Sequence, residues 1–337
     1  MAAATYSPKH HATAGTAYTT PASTALFRRL VWEGTVPIEV RIDPKELPAG
    51  SDRGLESYYV QAPRVSYLPL LIQDIKRHLT ELVVEDGSSK FLKEDEWWFE
   101  AEGGVLMKWH WPVGLLYDHY STSVSPAVAS APLTLHLAAP PTDKLLLSPS
   151  IDACKQAFMG QLKEADFLRW GSTKRVTGLR KPEQDGLWDG VRDHNFDDYW
   201  RVAVKITPTA TPNQPMPGTP MTSHSTIYRP ASVEPGAHAT SSNASNTGTI
   251  SEPTAPMDEN GRPTTLGSTL FKYLPLLFPS PRLEASDTRA YALVQGILPP
   301  SETEMAWLGA CMAGADGWVN ICIGLRNVPH GLGLSGL

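Results

Sequence analysis

The chain has 337 residues, of which 41% are hydrophobic and 10 are Trp, so it can bury the cores of about two or three domains and is not disordered throughout. A formal net charge of -6 gives no general attraction to phosphate, which disfavours a nucleic-acid partner and leaves any membrane contact to a local patch. Cys154, Cys311 and Cys322 are odd in number and far apart, the usage of buried, reduced thiols in a cytosolic protein. The opening MAAATYSPKHHATAG lacks both an apolar core and an arginine-rich amphipathic pattern, and no apolar run is long enough to span a bilayer, so cytoplasmic residence is expected.

Residues 1–23, rich in Ala, Thr and Pro without periodicity, read as a floppy tail, and His10 and His11 within it are assigned no metal. Residues 24–141 read as a first compact domain. Leu26, Leu30 and Val31 suggest a short helix; Ile38, Val40 and Ile42 alternate with Glu39 and Arg41 as a half-buried strand, and Tyr58, Tyr59 and Val60 make a second strand closed by Pro63. A helix follows, with Leu68, Leu71, Ile72, Ile75, Leu79 and Leu82 on one face and Pro69 in its first turn. Trp97, Phe99 and Ala101 then alternate with Trp98, Glu100 and Glu102, and Gly103-Gly104 turns the chain into Met107, Trp109 and Trp111 as a second hairpin. After a short helix opened by Pro112, Leu133, Leu135 and Leu137 mark a last strand. The order strand, strand, helix, strand, strand, short helix, strand is that of a ubiquitin-like β-grasp, with one helix laid across a mixed sheet.

Residues 142–206 read as a helix-rich domain without strands. Its main helix spans 149–170, with Ser148 as cap, Pro149 at the first position, and Ile151, Cys154, Phe158, Leu162, Ala165 and Leu168 as its apolar stripe. Lys163 directly follows a stripe residue, and Met159 and Phe167 flank it at four residues, so its ammonium is expected at the rim of the buried face, within a partner's reach. On spacing alone a solvated helical lysine is the plainer reading. Leu187, Trp188 and Val191 form a helical turn, and Asn195 caps another helix with Asp197 and Asp198 in its first turn. Residues 207–247, poor in large apolar side chains and rich in Pro, Thr and Ser, read as a disordered linker.

Residues 248–328 repeat the back half of the first domain: a helix through Leu266, Leu270, Leu274 and Leu277, a strand over 291–295, a capping box of Ser301 and Glu304 before Met305, Leu308 and Met312, and a closing strand of Val319, Ile321 and Ile323. A second β-grasp is expected, with residues 226–228 and 249–251 as candidates for its opening hairpin, followed by a tail at 329–337. The fold class is therefore α+β, two ubiquitin-like domains flanking a helix-rich one. None of the motifs HExxH, GxSxG or GxxxxGK[ST] is present, and scattered groups such as His110, Asp118 and His136 carry only a weak case for an enzyme. Asp258-Glu259-Asn260-Gly261 reads as a turn rather than a calcium loop, so neither metal nor cofactor is expected. The clusters 97–99 and 109–111 alternate as strands and lack a basic groove, which favours core and protein interface over base stacking.

The stretches YYVQAPRVSYLPL (58–70), WWFEAEGGVLMKWHWPVGLLYD (97–118), LTLHL (133–137), FMGQLKEAD (158–166) and LWDGVRDHNFDDYW (187–200) resemble the autophagy protein 5 family, in the family's order over most of residues 25–206. The resemblance implies two ubiquitin-like domains around a helix-rich domain. It also implies an acceptor lysine in the motif that here reads QLKEAD, placing Lys163 as the site joined by an isopeptide bond to the carboxy-terminal glycine of ubiquitin-like autophagy protein 12. The conjugate would bind a helix of autophagy protein 16 and act like a ubiquitin ligase, with a conjugating enzyme, in joining autophagy protein 8 to phosphatidylethanolamine at the lipid surface of the preautophagosomal structure or isolation membrane. Trp188, Phe196 and Trp200 would either hold the helical module to its neighbours or, with Met159 and Phe167, line a partner groove. The rival reading is a noncovalent adaptor whose ubiquitin-like domains bind partner helices, with Lys163 merely exposed.

Overall fold

The computed structural model describes residues 21–46, 57–83, 94–123, 130–146, 150–207, 226–231, 252–254, 258, 260–282 and 288–326. His10 and His11, the carboxy-terminal tail and most of the stretches read as tail and linker lie outside the described residues.

The first sheet runs β2-β1-β5-β3-β4, built from β1 (Thr35–Ile42), β2 (Tyr58–Pro63), β3 (Trp98–Ala101), β4 (Val105–Leu106) and β5 (Ala131–His136). β1 is antiparallel to β2 through Ile38↔Val60 and parallel to β5 through Val40↔Leu133, while β3 lies antiparallel to β5 through Phe99↔Leu135. Parallel pairing of first and last strands needs a crossover, which α2 (Leu68–Val83) supplies. Leu68, Ile72 and Ile75 of α2 share one core with Val36, Ile38, Val40, Phe99 and Leu135. Each such side chain contributes about 1.5–3 kcal/mol when taken from water. Gly103 and Gly104, at φ 83° and 81°, make the tight turn between β3 and β4 in a backbone region that side chains disfavour. β4 ends at Leu106, with one further bond from the Met107 N–H to the Phe99 carbonyl at 2.9 Å, so Trp109 leaves the expected longer hairpin and packs in the core of the helical region instead. α3 (Val113–Ser123) completes the domain.

The second sheet runs β7-β6-β9-β8, from β6 (Thr226–Ala231), β7 (Glu252–Thr254), β8 (Ala290–Val294) and β9 (Val319–Leu325). β6 pairs antiparallel with β7 and parallel with β9, the same plan as the first sheet. β6 lies inside the stretch read as a linker, so the sheet begins well before residue 248. Residues 226–228, a candidate for the opening hairpin, do open it, although Pro, Thr and Ser dominate the residues around them and the parallel partner lies far downstream, Tyr228 facing Val319. The sheet carries α8 (Leu266–Tyr273) and α9 (Met305–Cys311). The capping box belongs to α8, where Thr265 and Ser268 satisfy each other's backbone N–H, and not to Ser301 and Glu304; α9 begins after Glu304 without a side-chain cap, and the Ser301 hydroxyl is turned to Glu302.

Between the sheets sit α4 (Ile151–Trp170), α5 (Lys174–Thr177), α6 (Lys181–Arg192) and α7 (Phe196–Ala203). α1 (Pro21–Glu33) starts inside the stretch read as tail and packs with the opposite orientation to that expected. Leu26 and Leu30 are 57% and 56% exposed, whereas Thr24 and Trp32 are buried. The reason is tertiary: Trp32 stacks on His194 and packs against Phe196 and Tyr199, and Phe27 meets Trp307 edge to face. Strand β9 is buried at every position but its last, Asn320 and Cys322 included, because α3 of the first domain covers its second face and sets Leu115 against Cys322.

Candidate functional site

α4 is the element that presents Lys163. Ser150, not Ser148, caps it: its hydroxyl accepts from the Ala153 N–H at 3.1 Å, and Pro149 precedes the cap. The far end stops at Gly171, whose φ of 68° turns the backbone left-handed while its N–H bonds the Phe167 carbonyl at 2.7 Å. Cys154, Phe158 and Leu162 face a core shared with Leu187, Trp188, Val191 and Tyr199 of the later helices and with Val65, Tyr67 and Trp109 of the first domain. Ile151, read as the first residue of the stripe, is 39% exposed.

The carboxy-terminal half of α4 is gripped by the second domain. Ala165 packs against Trp318, and the Trp318 indole N–H donates to the Gln161 carbonyl at 3.2 Å. The buried Arg169 guanidinium donates to the Gly317 carbonyl at 2.8 Å, and Tyr199 donates to the Ala315 carbonyl at 2.7 Å. Gly317 has a φ of 82°, and a Cβ there would come within 3.2 Å of the Ala165 methyl. Desolvation pulls the Arg169 guanidinium down to about 10, so it remains charged at neutral pH. Asp166 is also buried; its carboxylate accepts the Arg175 and Val176 N–H groups at 3.1 and 3.2 Å and so holds the start of α5.

Beyond its first turn, α4 leaves Gln156, Gly160, Lys163, Glu164 and Phe167 to solvent, the last 54% exposed. A Cβ at Gly160 would meet nothing within 4 Å, so the space one turn before Lys163 is open. The two lysines of this helix differ. Lys155 is held by Asp185 at 2.7 Å, which Lys181 shares at 2.8 Å, whereas Lys163 makes no ion pair among the described residues. Its amine is available to an incoming group.

Three family models match in succession: the ATG5 UblA domain over residues 31–138, the ATG5 alpha-helical bundle region over 151–209, and the ATG5 UblB domain over 226–323. Autophagy protein 5 of Aspergillus fumigatus is 30% identical over 329 residues, covering 89% of this chain and 95% of that protein. The chain belongs to the autophagy protein 5 family. Autophagy protein 5 of Phaeosphaeria nodorum is likewise 30% identical, with 89% of this chain and 97% of that protein covered. The crystal structure of Kluyveromyces marxianus Atg5 has the same fold, with a TM-score of 0.66 over 88% of this chain and 98% of that one at 20% identity. Its role is that of an autophagy protein 5, and no described helix is long and apolar enough to cross a membrane.

Within this autophagy protein 5 fold the residues named around Lys163 separate. Met159 is only 9% exposed and belongs to the core, so it cannot line a partner surface. Trp188 is 2% exposed, tilted against Tyr67 and Phe158, and is likewise lost to partners; it ties α6 to the first domain. Phe196 and Trp200 are half-buried beneath α1, with the Arg29 and Arg28 guanidinium groups 4.2 and 4.3 Å above their rings. Of the candidates for an interface, Phe167 alone is exposed. His110, Asp118 and His136 form no shared site: Asp118 is paired with Arg64, and His136 sits with Asp43 and Glu46.

The clamp formed by residues 315–318 was missed in the sequence, although Gly-Ala-Asp-Gly-Trp carries a signal. A glycine before a lone large aromatic marks a backbone that must approach something closely.

Proposed function

We propose that Lys163 is the residue joined to the carboxy-terminal glycine of ubiquitin-like autophagy protein 12. The observation that carries this reading is the exposed Lys163 on a helix whose buried face packs against both ubiquitin-like domains and the later helices. A rigid helix gives an incoming thioester a defined target, because the amine moves only by its own rotamers and not by backbone drift. No side chain among the described residues pairs with Lys163 to act as its base, and an amine attacks only once its proton has been removed. The proton is taken by a group on the conjugating enzyme. The freed amine then attacks the thioester carbonyl, an amide forms, and the enzyme's cysteine leaves as thiolate. The chain is thus acceptor and scaffold, not catalyst.

In this reading the conjugate binds a helix of autophagy protein 16 and acts as a ligase-like factor for joining autophagy protein 8 to phosphatidylethanolamine, as a cytoplasmic protein peripheral to the preautophagosomal structure or isolation membrane. Replacing Lys163 with Arg preserves charge and helix propensity but not a transferable amine. A denaturing blot of cells carrying Lys163→Arg should show loss of the mass-shifted conjugate, with thermal unfolding unchanged. A conjugate that persists at the same mass sinks the assignment, and partner recovery without any shifted band in the wild type supports the noncovalent adaptor instead.

A further inference from the structure

At the end of the first sheet, on the face away from its core, three side chains from two distant segments converge. Asp43 follows β1, Glu46 ends the 3₁₀ turn Pro44–Glu46, and His136 ends β5. The His136 Nδ1 lies 3.3 Å from Asp43 Oδ2 and 3.3 Å from Glu46 Oε1, and the three donor atoms all lie within 4.8 Å of one another. We propose that these residues form a binding site for a divalent cation of the zinc class, taken by one nitrogen and two oxygens with a fourth position left to water.

Geometry argues first. Two ligands each about 2.0–2.1 Å from a tetrahedral centre stand roughly 3.3–3.4 Å apart, the separation that Nδ1 keeps from both carboxylates. Each ligand is also aimed. Asp43 Oδ1 accepts the Lys45 N–H at 3.0 Å, which leaves Oδ2 to point at the imidazole. Glu46 Oε2 accepts the Leu137 N–H, which leaves Oε1 for the same point. The imidazole is stacked on Trp98, its cross-strand partner, with ring centroids 3.9 Å apart and planes 10° from parallel.

Behind the ring, the Nε2 atom is buried without a hydrogen-bond partner, and Glu100 Oε2 stands 3.5 Å away. With the cation on Nδ1, Nε2 keeps its hydrogen and donates it to Glu100, the carboxylate–histidine–metal arrangement that fixes a ligand's tautomer. Charge argues the same way. Three carboxylates surround one imidazole, and no Lys or Arg pairs with Asp43, Glu46 or Glu100 among the described residues. Protonation of His136 would supply one positive charge, whereas a divalent cation balances both ligating carboxylates. With side-chain exposures of 17%, 23% and 13% for Asp43, Glu46 and His136, the site is sheltered yet open to an ion. Such an ion would pin the corner after β1 to the end of β5.

The test uses the full chain with His10→Ala and His11→Ala, to remove a competing histidine pair, stripped with a chelator and titrated with Zn2+ by calorimetry. One site per chain is expected, with a thermal midpoint that rises with Zn2+, and Co2+ should give the intense visible bands of a tetrahedral centre. His136→Phe keeps the stack on Trp98 but removes the donor, and Glu46→Gln still accepts from Leu137. Both should abolish the site and the bands, and Glu100→Gln should weaken binding by about 10–100-fold. Uptake that is absent in this background, or unchanged in Glu46→Gln and His136→Phe, overturns the proposal. Should His136→Phe fail to fold, the Co2+ spectrum and the Glu46→Gln titration decide alone.

Discussion

Cys154 has no solvent exposure, and burial pushes its thiol up to about 12. Cys311 and Cys322, each 1% exposed, are raised for the same reason. Since the thiolate is the reactive species, all three should be silent to a disulfide-exchange reagent at pH 8 in the folded chain and react fully in denaturant. A fast-reacting thiol in the native protein would contradict this packing. The reduced, buried state of these residues was legible from their place within apolar patterns. The fate of Lys163 was legible in part: its spacing put it at the rim of the stripe, but the contrast with Lys155 depends on Asp185, which arrives from another helix.

Among elements, α4 carries a glycine that its own fold does not require. Gly160 sits inside a 20-residue helix, where glycine costs about 0.5–1 kcal/mol relative to alanine. With nothing within 4 Å of its Cβ position, Gly160→Ala should raise stability by that amount, measured as a higher denaturant midpoint at unchanged slope. A loss of stability would mean that the backbone there is under a constraint not visible in its surroundings. The longer helices were readable, because each stripe is a local demand for burial, whereas α5, a single turn without a stripe, was not, and helix ends were less so. Ser148 and Ser150 are both good caps on paper, and the choice falls to the direction from which the chain enters. For β9, alternation suggested one buried face, and only the arrival of α3 buries the other.

At the scale of the whole molecule, the two ubiquitin-like domains are joined by a buried charge. The Arg64 guanidinium pairs with Asp118 and donates to the Gly114 carbonyl at 3.2 Å, with Gly296 of the second domain against it; a Cβ at Gly296 would lie 2.9 Å from the guanidinium. Asp118→Ala leaves that guanidinium buried without its counter-ion and should cost about 3–5 kcal/mol, read as a large fall in the unfolding midpoint. A change under about 1 kcal/mol would show that the pair does not hold the joint. None of this was visible beforehand: Asp118 stood out only as one of several scattered carboxylates, and Arg64 drew no notice.

The sequence by itself determined the α+β class, the order of elements in the first domain and the apolar face of α4. Those follow from periods of two and 3.6 residues, which each segment carries within its own span. The tertiary structure decided the rest: that Met159 and Trp188 belong to the core, that α1 turns Trp32 rather than Leu26 and Leu30 inward, that β6 pairs in parallel with β9, and that Asp43, Glu46 and His136 meet at one point. In each case the partner comes from a distant part of the chain, and the free energy of a contact depends on distance in space, which a local pattern does not encode.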